Sequence, residues 1–208
     1  MSVSTTWGYT ITDADALIDM LSISEYNDFT AFKYADDVRV TGNIKAACSA
    51  IRNYCGWHVY PSQSCEATMR MNDRRVTRVG RDLMIQLPAK YVSAVSSVTI
   101  NGVSHTAFSF EPNGILMVYD VDFVELYRYT PIVVTYTAGI PDMLMDGIKE
   151  LVAHRVTHAA ASSNGITTEA AGGISVTYNA NWVNSARATA LPDDNKEVLA
   201  PYRLQGVF

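Results

Sequence analysis

The apolar residues of this chain change their spacing twice, and the two changes confine the folds open to it. From about Gly42 to Tyr54, Ile44, Ala47, Cys48, Ile51 and Cys55 recur at helical intervals, while Lys45, Ser49, Arg52 and Asn53 fall on the opposite side. From about Cys65 to Thr137 the interval becomes two: Ala67, Met69 and Met71 alternate with Glu66, Thr68 and Arg70. After Pro141 the helical interval returns through Leu144, Ile148, Leu151, Val152, Val156 and Ala159. Neither pattern buries one face when wound with the other's period. The expectation is an α+β fold, a small α-helical bundle with an inserted antiparallel β region and an extended C-terminal tail.

Strands are expected at Leu83 to Leu87, Val95 to Ile100, Ile115 to Tyr119 and Ile132 to Thr137. Turns are expected at Asn72-Asp73 (a hairpin), Gly80-Arg81, Asn101-Gly102 and Asn113-Gly114. A small sheet and a barrel both fit such short strands. The opening ten residues read as a loose arm, and Thr12 to Asp15 as a capping box for a short helix burying Leu17, Ile18 and Leu21. A polar and aromatic link with Tyr26, Phe29, Phe32 and Tyr34 follows. Gly56 ends the second helix and Pro141 opens the third, where a missing N–H costs little. Gly172-Gly173 makes a joint before a strand from Ile174 to Tyr178, and Pro192-Asp193-Asp194 starts a last helical turn or two, broken at Pro201. The expected organisation is a single domain over residues 1–208. Within it are an arm and helices (1–64), the β insertion (65–137), the central helix (138–165) and a strand and tail (166–208).

The net charge of −5 argues against a protein that coats nucleic acid, since counterion release needs many cations. The first residues, Met1 to Trp7, lack the basic region and apolar core of a signal peptide, and no apolar run is long enough to span a bilayer. Cys48, Cys55 and Cys65 have no paired metal spacing and read as core side chains.

His154 and His158 stand four apart on a helix, with Glu150 in the same row, but Arg155 follows the first His where a zinc protease needs Glu. The row reads as a solvated face. Arg155 itself falls in the apolar stripe, so its guanidinium calls for a carboxylate from this chain or a bridge to a neighbouring subunit. Arg70, Arg74, Arg75, Arg78 and Arg81 crowd the first expected hairpin. They suit contact with DNA phosphates or an acidic protein rim, but with no aromatic residues interleaved among them they read first as a charged edge that resists pairing with another strand. Asp36-Asp37 and Asp193-Asp194 read as loop and helix-start residues. No phosphate loop, dinucleotide glycine pattern or nucleophile elbow is present, so no enzyme and no cofactor is expected.

Three stretches together resemble one family. They are the helix Ile44 to Cys55 with its Gly56-Trp57 stop, the strand and turn Val133 to Pro141, and Glu169 to Tyr178 followed by Leu199 to Arg203. In that order they resemble the head–tail connector (adaptor, head-completion) proteins of tailed bacteriophages. The resemblance covers about Asp36 to Arg203. It implies a virion protein of the neck, assembled in the host cytoplasm as a dodecameric ring beneath the portal protein. It also implies that the ring extends the channel through which packaged DNA passes and offers a platform to a stopper or tail-completion protein. A tail that engages the portal would here be Val198 to Phe208, with Leu199, Tyr202, Arg203, Leu204 and Phe208 as contacts. On that basis, truncation after Val198 is expected to abolish portal attachment and spare the fold.

Overall fold

The computed structural model describes residues 3–12, 19–30, 38–124, 126–163, 168–171, 174–177, 191 and 193–204. They fall into two compact units, one from residues 1–18, 55–141 and 202–208, the other from 19–54 and 142–201.

The first unit is built on two antiparallel sheets. The strands are β1 (Val3–Ser4), β2 (Thr10–Ile11), β3 (Gln63–Arg70), β4 (Val76–Val79), β5 (Asp82–Gln86), β6 (Val92–Ile100), β7 (Val103–His105), β8 (Phe108–Phe110), β9 (Ile115–Val118) and β10 (Pro131–Ala138). One sheet has the order β1-β2-β3-β10-β6-β7 and the other β4-β5-β9-β8. Strict alternation puts Cys65, Ala67 and Met69 of β3 and Ile132, Val134, Tyr136 and Ala138 of β10 on the buried side. Leu83 and Ile85 of β5 and Leu116 and Val118 of β9 do the same for the smaller sheet. Each of these large side chains contributes about 1.5–3 kcal/mol by leaving water.

The period-two reading of 65–137 therefore holds, with two corrections. The opening residues are not a loose arm: β2 pairs with β3, and Tyr9 and Ile11 are buried. Nor do Asn72 and Asp73 close a hairpin. Residues 71–75 carry the chain from the larger sheet, where β3 lies, to the smaller, where β4 pairs with β5. The later turns form as expected, with Asn101 and Gly102 both at positive φ between β6 and β7. Gly139 follows β10 because a Cβ there would lie 2.3 Å from the Ser62 backbone.

The second unit carries α1 (Ile23–Thr30), α2 (Val38–Cys55, whose last residue belongs to the first unit), α3 (Asp146–Ser163) and α4 (Asp193–Leu199). It also holds the antiparallel pair β11 (Thr168–Ala171) and β12 (Ile174–Thr177). Ser22 and Glu25 cap α1 reciprocally: Ser22 N–H donates to Glu25 Oε2 at 2.8 Å, and Glu25 N–H to Ser22 Oγ at 3.2 Å. The box expected at Thr12 to Asp15 lies mostly outside the described residues. In α2 the expected stripe is buried, but Arg52, expected to face away, is buried too. Pro141 does not open α3. A 3₁₀ turn at Asp142–Leu144 intervenes, so Leu144 is 43 % exposed and Met145 takes the buried place before Ile148 and Val152. Gly165, the Gly172-Gly173 joint and Tyr178 lie outside the described residues.

Candidate functional site

Two surfaces of the first unit hold the residues singled out above. The first is where the C-terminal segment meets the β unit. A 3₁₀ turn at Ala200–Tyr202 follows α4. The Tyr202 ring stacks on Tyr91 at 6.0 Å and Tyr91 on Trp57 at 6.4 Å. Trp57 Nε1–H donates to the Tyr202 carbonyl at 2.7 Å, and Leu204 N–H to the Cys55 carbonyl at 3.0 Å. Tyr91 holds its place at φ +54°, and partial burial raises its hydroxyl pKa. Leu204 is buried, Tyr202 half-buried and Arg203 exposed. Leu199 is buried in the second unit, where the Tyr54 hydroxyl donates to the Lys196 carbonyl of α4 at 3.2 Å. Phe208 lies outside the described residues. Of the expected tail contacts, the two leucines thus serve the chain's own packing and Arg203 faces outward. Trp57 and Tyr91 were missed as its partners, because stacking across distant segments leaves no local spacing.

The second surface gathers the arginines. Arg75 is half-buried and forks onto Asp73, its Nε 3.1 Å from Oδ1 and its Nη2 2.8 Å from Oδ2. Those hydrogen bonds hold the Asp73 carboxyl below its ordinary range. Arg75 is therefore a strut of the 71–75 crossover. Arg70 closes β3 and is exposed, as is Arg74. Arg78 lies 4.0 Å over the Phe123 ring and donates from Nε to the Gly80 carbonyl at 3.0 Å. Arg81 pairs with Asp120 at 3.0 Å in open solvent. Arg78, Arg81, Val121, Asp122, Phe123 and Val124 line an open cleft of about 530 Å³. Val124 in that cleft is 88 % exposed; further along the chain Tyr127 and Tyr129 are 76 and 59 % exposed, and the Arg128 guanidinium lies 5.0 Å over the Tyr129 ring. The expectation placed no aromatic residues among these arginines. The fold supplies them from residues 119–130, a connection with no strand of its own and hence no periodic signal.

In the second unit Arg155 is 8 % exposed on α3, and its burial lowers the guanidinium pKa. Glu150 and His154 are exposed on the same helix, and the His158 side chain lies outside the described residues. Among the described residues no three His, Cys, Asp or Glu side chains come close enough to hold a metal, and no helix is long and apolar enough to cross a membrane. Cys48, Cys55 and Cys65 are free and buried, and burial pushes the thiols of Cys55 and Cys65 up to about 12.

Among the described residues neither surface brings a nucleophile together with a base; both have what protein contacts use, aromatic rings and guanidinium groups. The fold is similar to that of a chain in the neck of an empty GTA particle computed with C6 symmetry. The two share 17 % identity with a TM-score of 0.50, over 96 % of this chain and 99 % of the other. Comparison with curated proteins returns no match. The head completion protein family matches residues 19–204. The chain belongs to that family, the head–tail connector proteins of tailed bacteriophages.

Proposed function

We propose that this protein is a structural subunit of the phage neck. It forms a ring that joins the portal of the DNA-filled head to a stopper or tail-completion protein and lengthens the DNA channel. The observation that carries this reading is family membership across residues 19–204. The sixfold symmetry named for the neck with a similar fold supports a ring, and a dodecamer is a multiple of six. Rings need head-to-tail contacts between two different faces of one subunit. The net charge of −5 suits a channel wall to which DNA does not adhere.

The portal contact proposed here begins with Tyr202 and Arg203 and continues through Phe208. Leu199 and Leu204 anchor that segment to its own chain. Arg155 is the proposed subunit bridge, reached when a neighbour's carboxylate covers α3. The protein acts without catalysis, first in the host cytoplasm and then in the virion.

The test is direct imaging. Purified protein is mixed with the portal protein of the same genome and viewed by electron microscopy. A ring of added density beneath the portal is expected. Bare portals at high excess of this protein would sink the reading.

A further inference from the structure

Two β-turns meet where β3 ends and β10 begins. One spans 73–76, closed by Val76 N–H donating to the Asp73 carbonyl at 3.0 Å, and carries Arg74 at its second position. The other spans 127–130 and carries Arg128 and Tyr129 at its two central positions. It is closed by Thr130 N–H to the Tyr127 carbonyl and by Tyr127 N–H to Thr130 Oγ1, both at 2.9 Å. Asn72 N–H to the Arg128 carbonyl at 3.0 Å and Met71 N–H to the Thr130 carbonyl at 3.2 Å tie the turns together. Arg70, the last residue of β3, lies opposite Pro131, and its carbonyl accepts Asp73 N–H at 2.9 Å. Arg70, Arg74 and Arg128 thus leave one end of the larger sheet from backbone fixed on all sides.

All three arginines are exposed, and none has an ion-pair partner among the described residues. Asp73, the acid of the first turn, is engaged by Arg75, and Glu125 lies outside the described residues. The cleft differs, since Arg81 there already faces Asp120. Tyr127 and Tyr129, both mostly exposed, flank Arg128 in the chain, and its guanidinium lies over the Tyr129 ring. The end of the sheet is therefore a local positive field on a chain of net charge −5. Its described residues are mostly cationic or hydroxyl-bearing, whereas the centre of a protein interface is apolar and short of charge. Guanidinium groups on separate turns suit an anion that repeats along a line. The phosphodiester backbone is such an anion, and arginine and tyrosine are among its usual donors.

We infer that Arg70, Arg74 and Arg128, with Tyr127 and Tyr129, contact the phosphate backbone of duplex DNA passing through the neck. The contact reads no sequence, because backbone contacts position a duplex without specifying its bases. The net negative charge of the rest of the chain keeps it weak, so the DNA is steadied and still slides. The contact presupposes the channel proposed above and names the part of the chain that meets the DNA.

The test is salt-dependent binding of the full chain to a short labelled duplex of arbitrary sequence, read by fluorescence anisotropy. Neutralising three phosphates should make affinity fall with salt at a log–log slope of about −2.7, or about fortyfold between about 50 and 200 mM. Arg70→Ala, Arg74→Ala and Arg128→Ala should each take about 0.9 from the steepness of that slope, and the triple variant should lose the binding. Arg78→Ala with Arg81→Ala should leave the slope as it was. The arginines are exposed, so the variants should melt with the parent in circular dichroism. No binding at the lowest salt, or a slope that survives in the triple variant, overturns the contact. Tighter binding of polyglutamate than of duplex through the same arginines overturns it in favour of an acidic protein surface. A ring on portals without arginine-dependent DNA binding refutes the contact and leaves the connector reading standing. Arginine-dependent DNA binding by a protein that forms no ring on portals does the reverse.

Discussion

Tyr9 and Tyr136 put the same hydroxyl in the same core with opposite consequences. The Tyr9 hydroxyl accepts the backbone N–H of His58 at 2.9 Å and meets its Nδ1 at 2.8 Å, while Nε2 lies 2.8 Å from the Ala138 carbonyl. The imidazole is thereby held as the Nε2–H form, bridging the segment before β2 to the end of β10. Tyr136 is fully buried, and its hydroxyl has no hydrogen-bond partner among the described residues. Tyr9→Phe should therefore cost about 1–3 kcal/mol, whereas Tyr136→Phe should be neutral or stabilising by about 1 kcal/mol, both read by urea denaturation. Glu25 offers a test in pH. Its hydrogen bond to Lys149 at 2.6 Å and those to Ser22 hold its carboxyl at about 2, below the ordinary 4.5. The stabilisation is full above about pH 4.5 and is lost as pH falls through about 2. Glu25→Gln should lower stability at pH 7 and flatten its dependence between these values, so denaturation curves of the two proteins converge in acid. Parallel curves would show that the pair contributes nothing.

At the scale of elements, the C-terminal segment behaves differently from a free tail. Truncation after Val198 removes Leu199, Tyr202 and Leu204, each of which packs against the chain, so it confounds docking with folding. A stop after Leu204 keeps them. With those packed residues kept, it is expected to leave thermal stability within about 0.5 kcal/mol of the full chain, while portal decoration is lost. Leu204→Ala should instead cost about 2–5 kcal/mol by opening a cavity, read as a lowered unfolding midpoint. The same scale shows what pattern reading reaches. The β region was legible because Cys65 to Met71 alternates strictly and Asn101-Gly102 is a two-residue turn. β1 and β2 were not, since two-residue strands are too short to display a period. A turn signal such as Asn72-Asp73 reports that the chain bends, not which sheet the next strand joins. Ser22 and Glu25 stand three apart in the sequence at capping-box spacing, and their pairing is the local signal that starts α1. Arg52 is buried although it stands off the expected stripe, because the covered face of α2 is wider than that stripe, whereas Arg155 is buried within the stripe that the spacing marks.

For the whole molecule, the arginines show how far composition can mislead. One basic cluster in the sequence becomes a strut at Arg75, a ring-stacked side chain at Arg78 and an exposed pair at Arg81. Only the fold separates these roles, because Phe123 and Asp120 arrive from a later connection while Asp73 meets Arg75 within the 71–75 turn. The family was legible from the order of three stretches, whose described residues lie on α2, on β10 with its Gly139 turn, and on β11, β12 and the end of α4 with the 3₁₀ turn that follows it. The arginine cleft was not, since Phe123 from a non-repeating connection completes it.

The partition of the chain between its two units has a consequence for synthesis. Each unit draws on both early and late segments, and the first also takes residues 202–208. Neither unit is complete until the chain has emerged past residue 201. A product terminated before Tyr202 would leave the Tyr91 ring unstacked on that side, and the Trp57 indole N–H and the Cys55 carbonyl without the hydrogen bonds that Tyr202 and Leu204 give them.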